Sequence, residues 1–124
     1  MKHILVMDDE VAIIQLLTQL LERSSYKVTV ALDGKEGVEL YRKSPADLVI
    51  VDIFMPEMDG LEVIRQLKAE FPQVRIIAIS GGGSGGTRNL LPDAEKLGAD
   101  QILRKPFKLD EFLQIVEREL GFAD

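Results

Sequence analysis

Short continuous apolar runs alternate along the chain with stripes of apolar residues spaced three and four apart, the pattern of strands alternating with amphipathic helices. Ile4-Leu5-Val6-Met7 is the first run, and Ile13, Leu16, Leu17, Leu20 and Leu21 follow at helical spacing until Ser24-Ser25. Val28-Thr29-Val30-Ala31 mixes polar and apolar positions, as an edge strand does, and Asp33-Gly34 then opens a helix carrying Val38 and Tyr41. Leu48-Val49-Ile50-Val51 is apolar throughout, as expected of a central strand covered on both faces, and it ends at Asp52. Asp59-Gly60 starts a helix with Leu61, Ile64, Leu67 and Phe71 on one face, closed by Pro72. The fourth run spans Val74 to Ile79 and stops at Ser80 and the stretch Gly81-Gly82-Gly83-Ser84-Gly85-Gly86. A helix over Pro92 to Leu97 ends at Gly98, a glycine C-cap. Gln101-Ile102-Leu103-Arg104 is the fifth strand, and Leu109, Phe112, Leu113, Val116 and Leu120 stripe the last helix.

Five strands with intervening helices predict an α/β fold, a doubly wound five-stranded parallel sheet with five helices. The 124 residues fit one domain over 1–124, with no linker long enough to divide them and no repeat beyond the strand–helix unit. Absence of cysteine excludes disulfide staples and thiolate metal sites. The opening Met1-Lys2-His3 leads into an apolar run too short for a signal peptide, and no run approaches the roughly 20 residues that span a bilayer, so a cytoplasmic protein is expected. A net charge of −6 without a basic cluster argues against direct nucleic-acid binding.

Ligands of doubly wound sheets bind beyond the carboxyl ends of the strands. Those ends carry Asp8 and Asp9 after the first strand, Asp52 after the third, Ser80 after the fourth and Lys105 after the fifth. If the first and third strands are neighbours, the carboxylates converge, which is unfavourable unless a cation compensates. Mg²⁺ takes oxygen ligands and commonly holds phosphate as well, and together with Lys105 it would neutralise three carboxylates. A carboxylate can attack phosphorus to form an acyl phosphate, and phosphoryl transfer depends mostly on positioning and neutralised oxygens. Asp52, ending the most apolar strand, is best placed as the nucleophile. Asp8 and Asp9 lead into a helix and suit a metal, while the Ser80 hydroxyl and the Lys105 ammonium suit phosphoryl oxygens.

Val6-Met7-Asp8-Asp9-Glu10, Val51-Asp52-Ile53-Phe54-Met55-Pro56-Glu57-Met58-Asp59-Gly60, Ile79-Ser80, Gly98-Ala99-Asp100 and Lys105-Pro106-Phe107 together resemble the response-regulator receiver domain of two-component signalling. The resemblance covers nearly the whole chain. It implies a CheY-like, flavodoxin-like strand order of 2-1-3-4-5. It also implies that Asp52 is phosphorylated from a phosphohistidine on a sensor histidine kinase or histidine phosphotransfer protein. Asp8, Asp9, Asp52 and the backbone carbonyl of Phe54 would bind Mg²⁺, and Ser80 and Lys105 would contact the phosphoryl group. The Lys105-Pro106 bond would be cis. Phosphorylation would shift a pre-existing equilibrium and expose the face of the fourth helix, fifth strand and fifth helix to a downstream protein target, or act on an output domain outside this chain.

Ile102 stands where receivers usually carry Tyr or Phe, so the switch formed by Ser80 and Ile102 lacks the usual ring and hydroxyl. This departure leaves a phosphate-independent, receiver-like interaction module as the alternative. The glycine-rich stretch is expected to fold over the phosphorylated site or a partner. It also satisfies G-x-G-x-x-G, yet in dinucleotide folds that motif follows the first strand, and no Gly-Lys-Ser/Thr is present for a P-loop. Asp9 has a structural reading too, as a cap of the first helix, and Lys105 could simply pair with surface acids.

Overall fold

The structure, a computed structural model, describes residues 1–81 and 90–121. The glycine-rich stretch beyond Gly81, and the closure expected of it, lie outside the described residues. Strands β1 (His3–Met7), β2 (Lys27–Ala31), β3 (Leu48–Asp52), β4 (Ile76–Ser80) and β5 (Gln101–Arg104) alternate with helices α1 (Val11–Arg23), α2 (Gly34–Lys43), α3 (Gly60–Glu70), α4 (Leu91–Leu97) and α5 (Leu109–Leu120). All pairings are parallel, in the order β2-β1-β3-β4-β5. Among the described residues no helix is long and apolar enough to cross a membrane.

Alternation along each central strand sends side chains to two separate cores. Leu5, Met7, Val49, Val51, Ile76 and Ala78 join Val38 and Tyr41 of α2, Val63, Ile64 and Leu67 of α3, and Leu91 and Ala94 of α4. Ile4, Val6, Leu48, Ile50, Ile77 and Ile79 join Ile14, Leu17 and Leu21 of α1 and Phe112, Val116 and Leu120 of α5. Three helices therefore cover one face and two the other. That double cover is why β3 and β4 are apolar at consecutive positions, and every residue of both strands is buried. β2 lies at the sheet edge, with Lys27 and Val30 exposed.

Most element ends fall within a residue of the sequence pattern, and the departures that matter are the start of β4 and the buried face of α1. β4 begins at Ile76 rather than Val74, because the Val74 N–H donates to the Phe71 carbonyl at 2.9 Å and closes a turn; Val74 is nevertheless buried. In α1 the buried stripe is Ile14, Leu17 and Leu21, whereas Leu16 is 43% exposed. An apolar stripe two residues wide gives no indication of which member of each pair faces the sheet.

Local chemistry sets the helix ends. The Asp33 and Asp59 carboxylates accept from the N–H groups of Glu36 and Glu62, capping α2 and α3 at their third helical residues. Gly98 ends α4 in the left-handed region at φ 119°, as its place after Leu97 predicted. Gly60 is required by proximity instead. A Cβ there would lie 2.4 Å from the Asp52 carbonyl oxygen and 2.6 Å from the Ile53 Cα, and both are backbone atoms of the segment that carries Asp52. Gly60→Ala is expected to lower stability by about 3 kcal/mol, at the upper end for overpacking. Urea unfolding checks this, and a loss below about 1 kcal/mol would mean that the segment yields freely.

Candidate functional site

Parallel register determines which polar residues meet. Met7 is opposite Val51, so Asp8 and Asp52 emerge side by side from the carboxyl ends of adjacent strands. Asp52 is opposite Ile79, Ser80 is opposite Arg104, and the Lys105 N–H donates to the Ser80 carbonyl at 2.8 Å. Asp8, Asp52, Ser80 and Lys105, far apart in sequence, thus reach one end of the sheet. The Lys105–Pro106 peptide bond is cis. Phe107 stacks on the fully buried Phe112 with ring centroids 5.5 Å apart, tying the segment after Lys105 to α5.

Asp8, Asp52 and Ser80 are the buried polar residues among those described. Asp8 Oδ1 accepts from the Glu10 N–H at 2.9 Å, and Asp8 Oδ2 accepts from Lys105 Nζ at 2.9 Å. Lys105 Nζ also donates to Glu10 Oε1 at 2.9 Å and, at 3.5 Å, to Asp52 Oδ2. The Phe54 N–H donates to Asp52 Oδ1 at 3.3 Å. Carboxylate oxygens of Asp8, Glu10 and Asp52 all lie within 4.8 Å of one another. One ammonium among three carboxylates leaves two negative charges uncompensated.

The strain appears in the proton affinities. Burial, followed by the neighbouring Asp8 charge, pushes Asp52 up to about 6, against the opposing pull of Lys105 and the Phe54 N–H. Burial alone would lower Lys105, but hydrogen bonds to Glu10 and Asp8 and the charges of Asp52 and Asp8 outweigh it and hold the ammonium above its ordinary range. At pH 7 Asp52 is therefore mostly ionised, and it is a stronger base than a free aspartate. A buried, basic carboxylate facing a fixed cation can act as a nucleophile toward a group that brings its own negative oxygens.

The donor set fits a hard divalent cation. All three groups are carboxylates, two of them are buried, and the local charge deficit equals that of one such ion. Asp9 is exposed and lies outside this set, and no side chain caps α1, whose N-cap residue is Glu10. Glu10 is the residue that sequence reasoning left without a role. Strand alternation does not reach it, because β1 ends at Met7 and the chain bends at Asp9; Glu10 returns beside Asp8 through a local turn in which its N–H donates to Asp8 Oδ1, and no apolar or polar periodicity marks that turn in the sequence. Phe54 offers its N–H to Asp52 while its ring is 41% exposed. Ile102, opposite Ala78 in β5, is partly buried against the core beneath α4, so an aliphatic side chain fills the place of the expected ring. An apolar groove of about 450 Å³ adjoins the site, bordered by Glu10, Ile13, Leu16, Lys105, Phe107 and Leu109.

Comparison with known proteins gives a consistent picture. The family model described as the response regulator receiver domain matches residues 4–117. Response regulator GtcR of Aneurinibacillus migulanus is 37% identical, over 98% of this chain and 49% of its own length. Chemotaxis protein CheY of Listeria monocytogenes is 34% identical, over 95% of this chain and 98% of its own. Among solved structures, the CheX–CheY–BeF3–Mg complex from Borrelia burgdorferi superposes with a TM-score of 0.85 at 30% identity, covering 96% of this chain and 89% of that one. The chain thus spans about half the length of GtcR and nearly all of the CheY protein.

Proposed function

The chain belongs to the response regulator receiver domain family of two-component systems, and on that premise we propose that it is a phosphoacceptor switch whose phosphorylated residue is Asp52. The observation that carries this reading is the buried Asp52 carboxylate, raised to about 6 and facing the Lys105 ammonium at 3.5 Å. In this reading an Asp52 carboxylate oxygen attacks the phosphorus of a phosphohistidine. A P–O bond forms as the P–N bond breaks, and the electron pair returns to the imidazole, which leaves and takes up a proton from water. Lys105 moves its positive charge onto a phosphoryl oxygen, and the Ser80 hydroxyl donates to another.

Mg²⁺ is the cofactor proposed: Asp8 and Asp52, both in the carboxylate cluster, would hold it, and the receiver resemblance adds the Phe54 carbonyl and Asp9, which is exposed and lies outside the cluster; when bound it would offset the charge of the phosphoryl oxygens. The chain's own groups do the rest. Asp8 keeps Lys105 in reach, the Phe54 N–H orients Asp52, and burial of both carboxylates limits the water that competes for the acyl phosphate. Hydrolysis of that acyl phosphate resets the switch, so the only chemistry is on the protein itself.

The phosphodonor in this account is a sensor histidine kinase or histidine phosphotransfer protein in the cytoplasm. The signal passes through Ser80 and Ile102 to the face of α4, β5 and α5, where a downstream protein, or an output domain outside this chain, would respond. The test is incubation with acetyl phosphate followed by intact-mass measurement. One phosphoryl group is expected with Mg²⁺ and none with a chelator, whereas no uptake under either condition would favour the phosphate-independent interaction module.

A further inference from the structure

The Glu10 side chain is at the N-cap position of α1 but makes no capping hydrogen bond. It reaches Lys105 Nζ instead, at the same 2.9 Å as Asp8 and closer than Asp52 at 3.5 Å. The two partners differ in setting. Lys105 is only 11% exposed, so its ammonium needs protein acceptors, while Glu10 is 59% exposed and can swing into water with little loss.

We propose that Glu10 is a positioning residue that holds the Lys105 ammonium on the Asp8 side of the site until a phosphoryl group arrives, and so sets how readily Lys105 transfers to it. The proposal rests on the phosphoacceptor reading of Asp52. A phosphoryl oxygen on Asp52 would compete with Glu10 for one ammonium hydrogen. Because Glu10 is exposed and its pair with Lys105 correspondingly weak, the competition resolves in favour of the phosphoryl group. Glu10 is thus a releasable partner where Asp8, fully buried, is a permanent one.

Beryllofluoride, which mimics a phosphoryl group on a carboxylate, is the probe, titrated at saturating Mg²⁺ by calorimetry. Glu10→Gln is expected to bind it about threefold more tightly, the scale of an exposed ion pair. The same substitution in a Lys105→Met background is expected to change nothing, because the effect runs through Lys105. Equal tightening in both backgrounds would reduce Glu10 to a generic negative charge and overturn the proposal, as would no tightening in either. A second readout is independent of phosphate. In the metal-free protein, Glu10→Gln is expected to speed hydrogen exchange of the Lys105 ammonium measured by NMR, and an unchanged rate would show that Glu10 does not hold it. If the unsubstituted protein fails to bind beryllofluoride while the ammonium responds, the phosphoacceptor reading falls and the Glu10 hold on Lys105 stands.

Discussion

Asp52→Asn is expected to abolish phosphoryl uptake from acetyl phosphate and, in the same protein, to stabilise the fold at neutral pH. The first effect follows from chemistry, since an amide oxygen is too weak a nucleophile to form the acyl phosphate. The second follows from electrostatics. Asp52 is raised from the ordinary carboxylate range to about 6 by burial and by Asp8, so between about pH 4 and pH 6 the folded protein retains a proton that the unfolded chain has released. Stability therefore falls as pH rises through that window, and the loss is complete above it. The neutral Asn avoids this loss, and the variant should exceed the parent by on the order of 2 kcal/mol at pH 8 in the presence of a chelator, with the difference fading toward pH 4. Urea unfolding at both pH values checks this; equal stability at pH 8 would mean that Lys105 already balances the site.

Lys105→Ala is the second large effect. It removes the cation that bridges Asp8, Glu10 and Asp52 and leaves carboxylate oxygens within 4.8 Å of one another without their shared ammonium. Asp52 should then titrate above its present value of about 6, and the phosphoryl oxygens lose their positive partner. Uptake from acetyl phosphate at saturating Mg²⁺ should slow on the order of 100-fold, the scale of losing one preorganised donor to a developing anion. Lys105→Arg should recover only part of the rate, because a planar fork does not replace a compact ammonium. A rate for Lys105→Ala within a factor of about 3 of the parent would remove Lys105 from the chemistry.

The fold was legible where physics acts locally and along the chain. Continuous apolar runs marked β3 and β4 because both faces of those strands are covered, and Asp33, Asp59 and Gly98 marked helix ends through their own hydrogen bonding and φ angle. What needed the third dimension was less legible. The strand order came only from resemblance, since apolar runs carry no information about which neighbour they choose. Val74 is buried like a strand residue, yet its N–H belongs to a turn, a distinction that hydrophobicity does not encode.

The site divides in the same way. Asp8, Asp52, Ser80 and Lys105 could be found because each ends a strand, and strands of one parallel sheet end together. Asp9 and Glu10 could not be assigned by that rule, because they lie in the passage from β1 to α1, where side-chain direction depends on backbone angles. There the chain bends at Asp9, and Glu10 rather than Asp9 joins Asp8 on Lys105. Ile102 was identifiable as a departure from the receiver pattern, while its packing against the core beneath α4 emerged only from the fold.

The central claim is that a phosphoryl group is carried by Asp52, and borohydride trapping tests it most directly. An acyl phosphate on an aspartate is reduced to homoserine, so the protein is phosphorylated with acetyl phosphate and Mg²⁺, reduced, digested and mapped by mass spectrometry. Homoserine is expected at position 52 alone, dependent on both reagents. Homoserine at Asp8 or Asp9 with Asp52 intact would contradict the claim.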